Sequence, residues 1–198
     1  MNDKQLRTAM HDLTREGGGA LSSPLFWGVY FDSDLEKIIH EIKWRLHHHQ
    51  KCYLIINVRG GYNLQMGHWI SLYADTIHTR MYFLDSLANN YGFYGDELKK
   101  FIAGLKPNVV HRLRYRLQAE NSLTCGLYSL YFAREIMLHG VRNTLSHLFD
   151  FFFTNKRLLN DTKVIRYCYS YLPMPDCQKI LCDLVSQHEC LRNICHGL

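Results

Sequence analysis

The chain has 198 residues, of which 47% are apolar and 21% charged, with a net charge of +5 and a pI near 8.8. That length and apolar content suffice for one domain with a full core across residues 1–198, and exclude a disordered or low-complexity protein. No stretch approaches transmembrane length, and the start of the chain lacks the apolar run of a signal peptide, so a soluble, intracellular monomer with no membrane partner is expected. Seven cysteines, an odd number without framework spacing, fit free thiols in a reducing compartment.

In chain order, apolar spacing predicts a first helix over residues 3–14, followed by the flexible tract Gly17-Gly18-Gly19. A second helix is expected over 33–47, with Ser33 to Glu36 as a capping box and Leu35, Ile38, Ile39, Ile42 and Leu46 on one face. His47-His48-His49 falls in its last turn, where partly protonated imidazoles suit the dipole; metal binding is the weaker alternative. Strands follow at 52–58, 67–74 and 80–85, the last two joined as a hairpin by a polar turn around 75–79. Val58-Arg59-Gly60-Gly61 reads as a tight turn before the second strand, although it also has the form of a diglycine cleavage sequence.

A short helix over 96–104 and a strand over 109–117 come next. In that strand Arg112, Arg114 and Arg116 alternate with Leu113, Tyr115 and Leu117, which predicts a row of guanidinium groups on one face and packing on the other. Such a row is a candidate contact for nucleic-acid phosphates or acidic peptide; the plain alternative is a solvated strand face. A helix over 124–139, apolar nearly all round and closed by Gly140, should lie buried at the centre. The C-terminal third reads as helical. There Cys177, Leu181, Leu184, His188, Leu191 and Cys195 form one helical stripe, so packing explains these cysteines better than a structural zinc site, and no metal is expected. The fold class is α+β, a mixed central sheet flanked by helices.

The chemistry-bearing residues lie in the order His68, Asp85, Gln118, Cys125. A thiol is mostly protonated at neutral pH, so acyl transfer needs an imidazole to take the proton and a third group to hold the imidazole's tautomer. Antiparallel pairing of the hairpin brings Asp85 within reach of His68. Cys125, at the start of the buried helix, meets unpaired backbone N–H groups and the positive end of the helix dipole, which favour a thiolate. Those N–H groups and the Gln118 amide could stabilise an oxyanion. Taken singly, each residue has a plainer reading: a cysteine at a helix start is usually a small buried apolar residue, and a histidine beside a tryptophan a satisfied core residue.

The order of these residues, with Gly67-His68-Trp69 and Gln118 seven residues before Cys125-Gly126, resembles the adenain-like cysteine proteases of the clan that includes the Ulp-type SUMO proteases. Phe26-Trp27-Gly28-Val29-Tyr30 and the strand beginning Cys52-Tyr53-Leu54 extend the resemblance, which runs from about residue 26 to about residue 139. It implies a cysteine-protease-like fold with the nucleophile at the N-terminus of a central helix. It also implies His68 as general base, Asp85 as the group orienting it, Gln118 as oxyanion donor and Cys125 as nucleophile. Gly67, Trp69 and Gly126 would line a narrow groove for substrates with glycine at the scissile bond.

The implied substrates are viral precursor proteins of capsid or core, cleaved during virion maturation in the host nucleus or the virion. Deconjugation of ubiquitin-like modifiers is the alternative within the same chemistry, and a catalytically silent nucleic-acid-binding or assembly protein is the alternative outside it. No metal or organic cofactor is implied. DNA, through Arg112, Arg114 and Arg116, and a short viral peptide are implied as activating partners. Adenain carries Glu where Asp85 stands here, and it bonds its peptide through a cysteine that residues 108–124 of this chain lack, so only non-covalent peptide activation stays open.

Overall fold

The computed structural model describes residues 1–16, 26–49, 51–59, 67–75, 77–120 and 122–171. The Gly17-Gly18-Gly19 tract, Gly60-Gly61 and the stripe from Cys177 to Cys195 lie outside them. A five-stranded mixed sheet runs through the centre in the order β1 (Phe26–Phe31), β2 (Lys51–Val58), β3 (His68–Asp75), β4 (Arg80–Leu84) and β5 (Val109–Arg112). The outer pairs β1–β2 and β4–β5 are parallel, while β2–β3 and β3–β4 are antiparallel. Every residue of β3 is buried, as a central strand covered on both faces must be.

The two faces of the sheet bury separate cores. On one lie α2 (Leu35–His49) and α3 (Asp96–Gly104), packed over Leu54, Ile56, Ile70, Leu72 and Phe83. On the other lie α1 (Asp3–Glu16) and α4 (Cys125–Ser146), with α5 (Leu148–Phe151) and α6 (Arg157–Tyr171) behind α4. Cys125 through Ala133 are buried without a break, because this part of α4 is sandwiched between β3 and α6. Burial of side chains such as Leu127, Leu130 and Phe132 contributes about 1.5–3 kcal/mol each. A hydrogen bond of 2.7 Å from the Tyr53 hydroxyl to the Ser129 carbonyl ties this helix to the sheet.

Local chemistry sets the element ends. Asn2 and Gln5 exchange reciprocal side-chain to backbone hydrogen bonds of 2.9 Å at the start of α1, a capping box that the apolar spacing alone did not disclose. The capping box expected at Ser33 does not form. A 3-10 turn over Asp32–Asp34 precedes α2, and Asp32 supplies the oxygens instead, accepting from Ser33 N at 2.8 Å and from Arg59 N, at the exit of β2, at 2.7 Å. His47, His48 and His49 close α2 as expected, with His48 Nδ1 2.8 Å from the Trp44 carbonyl oxygen.

Three expectations are corrected. β1 adds a strand to those expected from the residue pattern. β5 ends at Arg112, well short of 117, since from Leu113 the chain turns to follow the end of β4: Leu113 N donates to Phe83 O, and Leu117 N to Ser86 O. Leu113 and Leu117 are buried, but Tyr115 is 52% exposed against Phe149, so the alternation does not persist. α4 does not stop at Gly140 but bends there, at φ 75° and ψ 156°, and continues to Ser146.

That dihedral pair is open essentially to glycine alone. Nothing lies within 4 Å of a Cβ built at Gly140, so a substitution there meets no clash and feels only the backbone cost. Gly140→Ala is therefore expected to lower stability by about 1–3 kcal/mol. In urea denaturation the midpoint should fall with the slope unchanged.

Candidate active site

The site assembles where β3 begins, β4 ends and α4 starts. Gly67 (φ 71°) leads into β3 so closely past Asn57 that a Cβ would sit 2.2 Å from Asn57 Oδ1. Its demand is conformational: only glycine lets the chain enter β3 there with His68 turned toward β4. The register that sets Ser71 across from Leu84 leaves Asp85, one residue past β4, diagonal to His68 on the same face. His68 Nε2 and Asp85 Oδ1 are 2.7 Å apart, both groups nearly inaccessible to solvent.

Asp85 is held by more than the histidine. Its Oδ1 also accepts Leu87 N at 2.8 Å, and its Oδ2 accepts Asn89 N at 2.9 Å and the Tyr94 hydroxyl at 2.7 Å. Four donors on one carboxylate fix its plane and compensate its burial. The Tyr94 ring stacks on His68, with centroids 5.8 Å apart and planes 19° apart, while Asn89 Nδ2 donates to its oxygen. Tyr94 was missed from the sequence, although an aromatic just ahead of the helix at Asp96 was the available signal.

With Nε2 committed to Asp85, His68 also lies close enough to Cys125 for each group to shift the other's ionisation. Burial by itself would raise the thiol's pKa. The neighbouring His68 with its imidazolium charge, and the Trp69 backbone, outweigh it, and the net direction is downward. Burial likewise opposes the charged imidazole, but Asp85 and the thiolate raise its pKa to about 9. A thiolate–imidazolium pair is the state these partners favour.

Gln118 is buried in the loop ahead of α4. Its Oε1 accepts the Ser86 hydroxyl at 2.6 Å and its Nε2 donates to Ser122 O at 2.5 Å, which leaves one Nε2 hydrogen over. Ser86 O also accepts Leu117 N and Gln118 N. The adjacent pair Asp85-Ser86 therefore holds the histidine with one residue and the glutamine loop with the other.

The loop is fastened from behind by α6. Asp161, buried, accepts Ala119 N at 3.1 Å, the Thr124 hydroxyl at 2.9 Å and the Tyr128 hydroxyl at 3.0 Å. Burial raises its pKa, against those donors. Asn160 Nδ2 donates to Leu117 O at 3.1 Å. Thr124 consequently spends its hydroxyl on Asp161 and gives α4 no side-chain cap. Neither α6 residue had been connected with the site, because their partners lie some forty positions earlier in the chain.

Trp69 and Gly126, expected to line a groove, lie together at Met1. Trp69 Nε1 donates to the Met1 carbonyl at 3.0 Å, and a Cβ at Gly126 would lie 3.2 Å from Met1 Cβ. The arginine row is not assembled: Arg112 and Arg114 are exposed, whereas Arg116 is half-buried and turns its Nε to Leu87 O at 3.3 Å. Among the described residues no group of three or more His, Cys, Asp or Glu side chains could hold a metal ion.

No protein-family model and no curated protein matches the chain by sequence. Solved structures do. The Xanthomonas campestris effector XopD bound to ubiquitin is similar at TM-score 0.53 and 17% identity over 84% of this chain and 90% of that one. A selenomethionine form of an ASFV protease matches at TM-score 0.51 and 11% identity, over 83% and 66%. The SUMO protease Ulp1 gives TM-score 0.48 and 16% identity, over 83% and 75%. The chain thus shares the α+β fold of XopD and of that ASFV protease, with the mixed sheet flanked by helices that the sequence implied.

Three outcomes follow from this geometry. Tyr94→Phe removes one of four donors to Asp85 and should cost about 1 kcal/mol of stability. Asp161→Ala removes the shared acceptor of three donors and should cost about 2–4 kcal/mol, with Asp161→Asn milder; thermal denaturation ranks the three variants. The stability that His68 contributes is fully present below its unfolded value of 6.5 and is lost as pH rises through about 9. A His68→Gln chain should accordingly show a flatter fall in Tm between those limits than the parent.

Proposed function

We propose that the protein is a thiol endopeptidase. The observation that carries this reading is the buried His68–Asp85 hydrogen bond together with Cys125, close enough to His68 for each to shift the other's ionisation. The Cys125 thiolate attacks a peptide carbonyl carbon, and the oxyanion that forms faces the backbone N–H groups of the first turn of α4 together with the remaining Gln118 Nε2 hydrogen. The C–N bond breaks as the His68 imidazolium gives its proton to the departing amine, leaving a thioester on Cys125. His68, now neutral, takes a proton from water; hydroxide adds to the thioester, the C–S bond breaks, and the acid product leaves as the thiolate–imidazolium pair is restored.

Substrates in this reading are viral precursor proteins of capsid or core, cut at glycine-containing sites during virion maturation. The closeness of Trp69 and Gly126 beside the nucleophile supports small residues at the scissile bond, and the likeness to an ASFV protease supports the viral setting. A second reading, removal of ubiquitin-like modifiers, is favoured by the likeness to XopD bound to ubiquitin.

A thiol-reactive peptide probe tests the chemistry. One label per chain is expected, absent in Cys125→Ala, with turnover reduced roughly 10⁴-fold or more in His68→Ala; failure to label with or without added DNA or peptide contradicts the proposal. Cleavage of a diglycine capsid-type peptide should exceed cleavage of a ubiquitin-like fusion, and the reverse order selects the second reading.

A further inference from the structure

At the end of the sheet remote from Cys125, a cavity of about 290 Å³ lies between the sheet and the bend in α4. Lys51, Asp75 and Arg80 stand side by side across β2, β3 and β4, paired in register, and Arg142 faces them from α4 just past Gly140. Three fixed cations therefore surround one carboxylate. That carboxylate is already engaged: Asp75 Oδ2 lies 2.8 Å from His78 Nδ1, and Oδ1 accepts His78 N at 3.3 Å. Among the described residues, no carboxylate comes within ion-pair range of Lys51, Arg80 or Arg142.

Three cations about one carboxylate leave an excess of positive charge at a concave site. The wall between them is built of the buried Tyr73 and Tyr82. Burial, with the Asp75 charge, raises the Tyr73 pKa, so its phenol keeps its proton. Guanidinium groups present paired N–H donors that match phosphoryl oxygens. The volume sits at the small end of the range for ligand pockets, which suits a compact anion rather than a polymer.

We propose that this cleft binds a compact polyphosphate, an anion of two or three linked phosphoryl groups, through Lys51, Arg80 and Arg142. Such a ligand bridges the sheet to α4. These are the two parts that carry His68 and Cys125 at their opposite ends, so occupancy fastens one against the other. The site stands independently of whether the chain cleaves peptides.

The test is calorimetric titration of inorganic tripolyphosphate into the full chain at low ionic strength, with thermal denaturation alongside. One saturable site and an upward shift in Tm are expected. Arg80→Gln with Arg142→Gln should weaken binding roughly a hundredfold, about tenfold per cation, and abolish the Tm shift, while circular dichroism shows the fold retained. Arg112→Gln with Arg114→Gln, on the exposed segment at β5, should change neither. Equal weakening in the two double variants, uptake without saturation, or tighter binding of a single-stranded oligonucleotide that the cleft variant leaves intact each overturns the proposal. If the cleft variant fails to fold, Lys51→Gln alone replaces it, with a roughly tenfold loss expected and no loss contradicting the assignment.

Discussion

The whole site depends on how the carboxylate of Asp85 is held. An ionised carboxylate at 1% exposure is costly unless its oxygens are filled, and here two backbone N–H groups, a phenol and an imidazole fill them. Because three of those four donors belong to residues 87–94, which follow β4, the acid's orientation is set independently of the histidine. The histidine inherits a fixed plane and a fixed protonated nitrogen, and the cysteine inherits a fixed partner. Electrostatics then runs down the chain of contacts: Asp85 stabilises the imidazolium, which in turn stabilises the thiolate.

The Cys125 side of the site is secured differently. α4 enters the core with its first nine residues buried and no side-chain cap of its own, so its start must be located by its neighbours. Asp161 and Asn160 do this from α6, and Ser86 does it from the end of β4, by taking the hydrogen-bonding groups of residues 117–119 and 124. Two rigid bodies, hairpin and central helix, are thus brought to one place by polar contacts that also satisfy the buried backbone of the loop between them. Tyr53 to Ser129 adds a further fastening one turn along the helix.

Much of this was legible in the residues because it is periodic or local. Runs rich in aromatic and apolar residues disclosed β2, β3 and β4, apolar spacing disclosed α1 and α2, and an apolar surface nearly all round disclosed α4. The hairpin alone was enough to pair His68 with Asp85. What was illegible is long-range or conformational. β1 is parallel to β2 and has no hairpin partner to announce it. The arginine alternation at 112–116 mimicked a strand, but hydrogen bonds to the end of β4 redirect the backbone at Leu113. Asp161 looked like any helix carboxylate, since nothing local marks a residue whose partners are Ala119, Thr124 and Tyr128. Gly140 reads as a stop signal, and only the resumed helix shows that it is a bend.

The most direct measurement of the central claim is the titration of the Cys125 thiolate by its ultraviolet absorbance, taken as the difference between the parent chain and Cys125→Ala. A thiolate that forms below the ordinary thiol value of 9, and shifts upward when Asp85 is replaced by Asn, is the predicted result. A Cys125 that titrates at or above that value, indifferent to Asp85, would contradict the account.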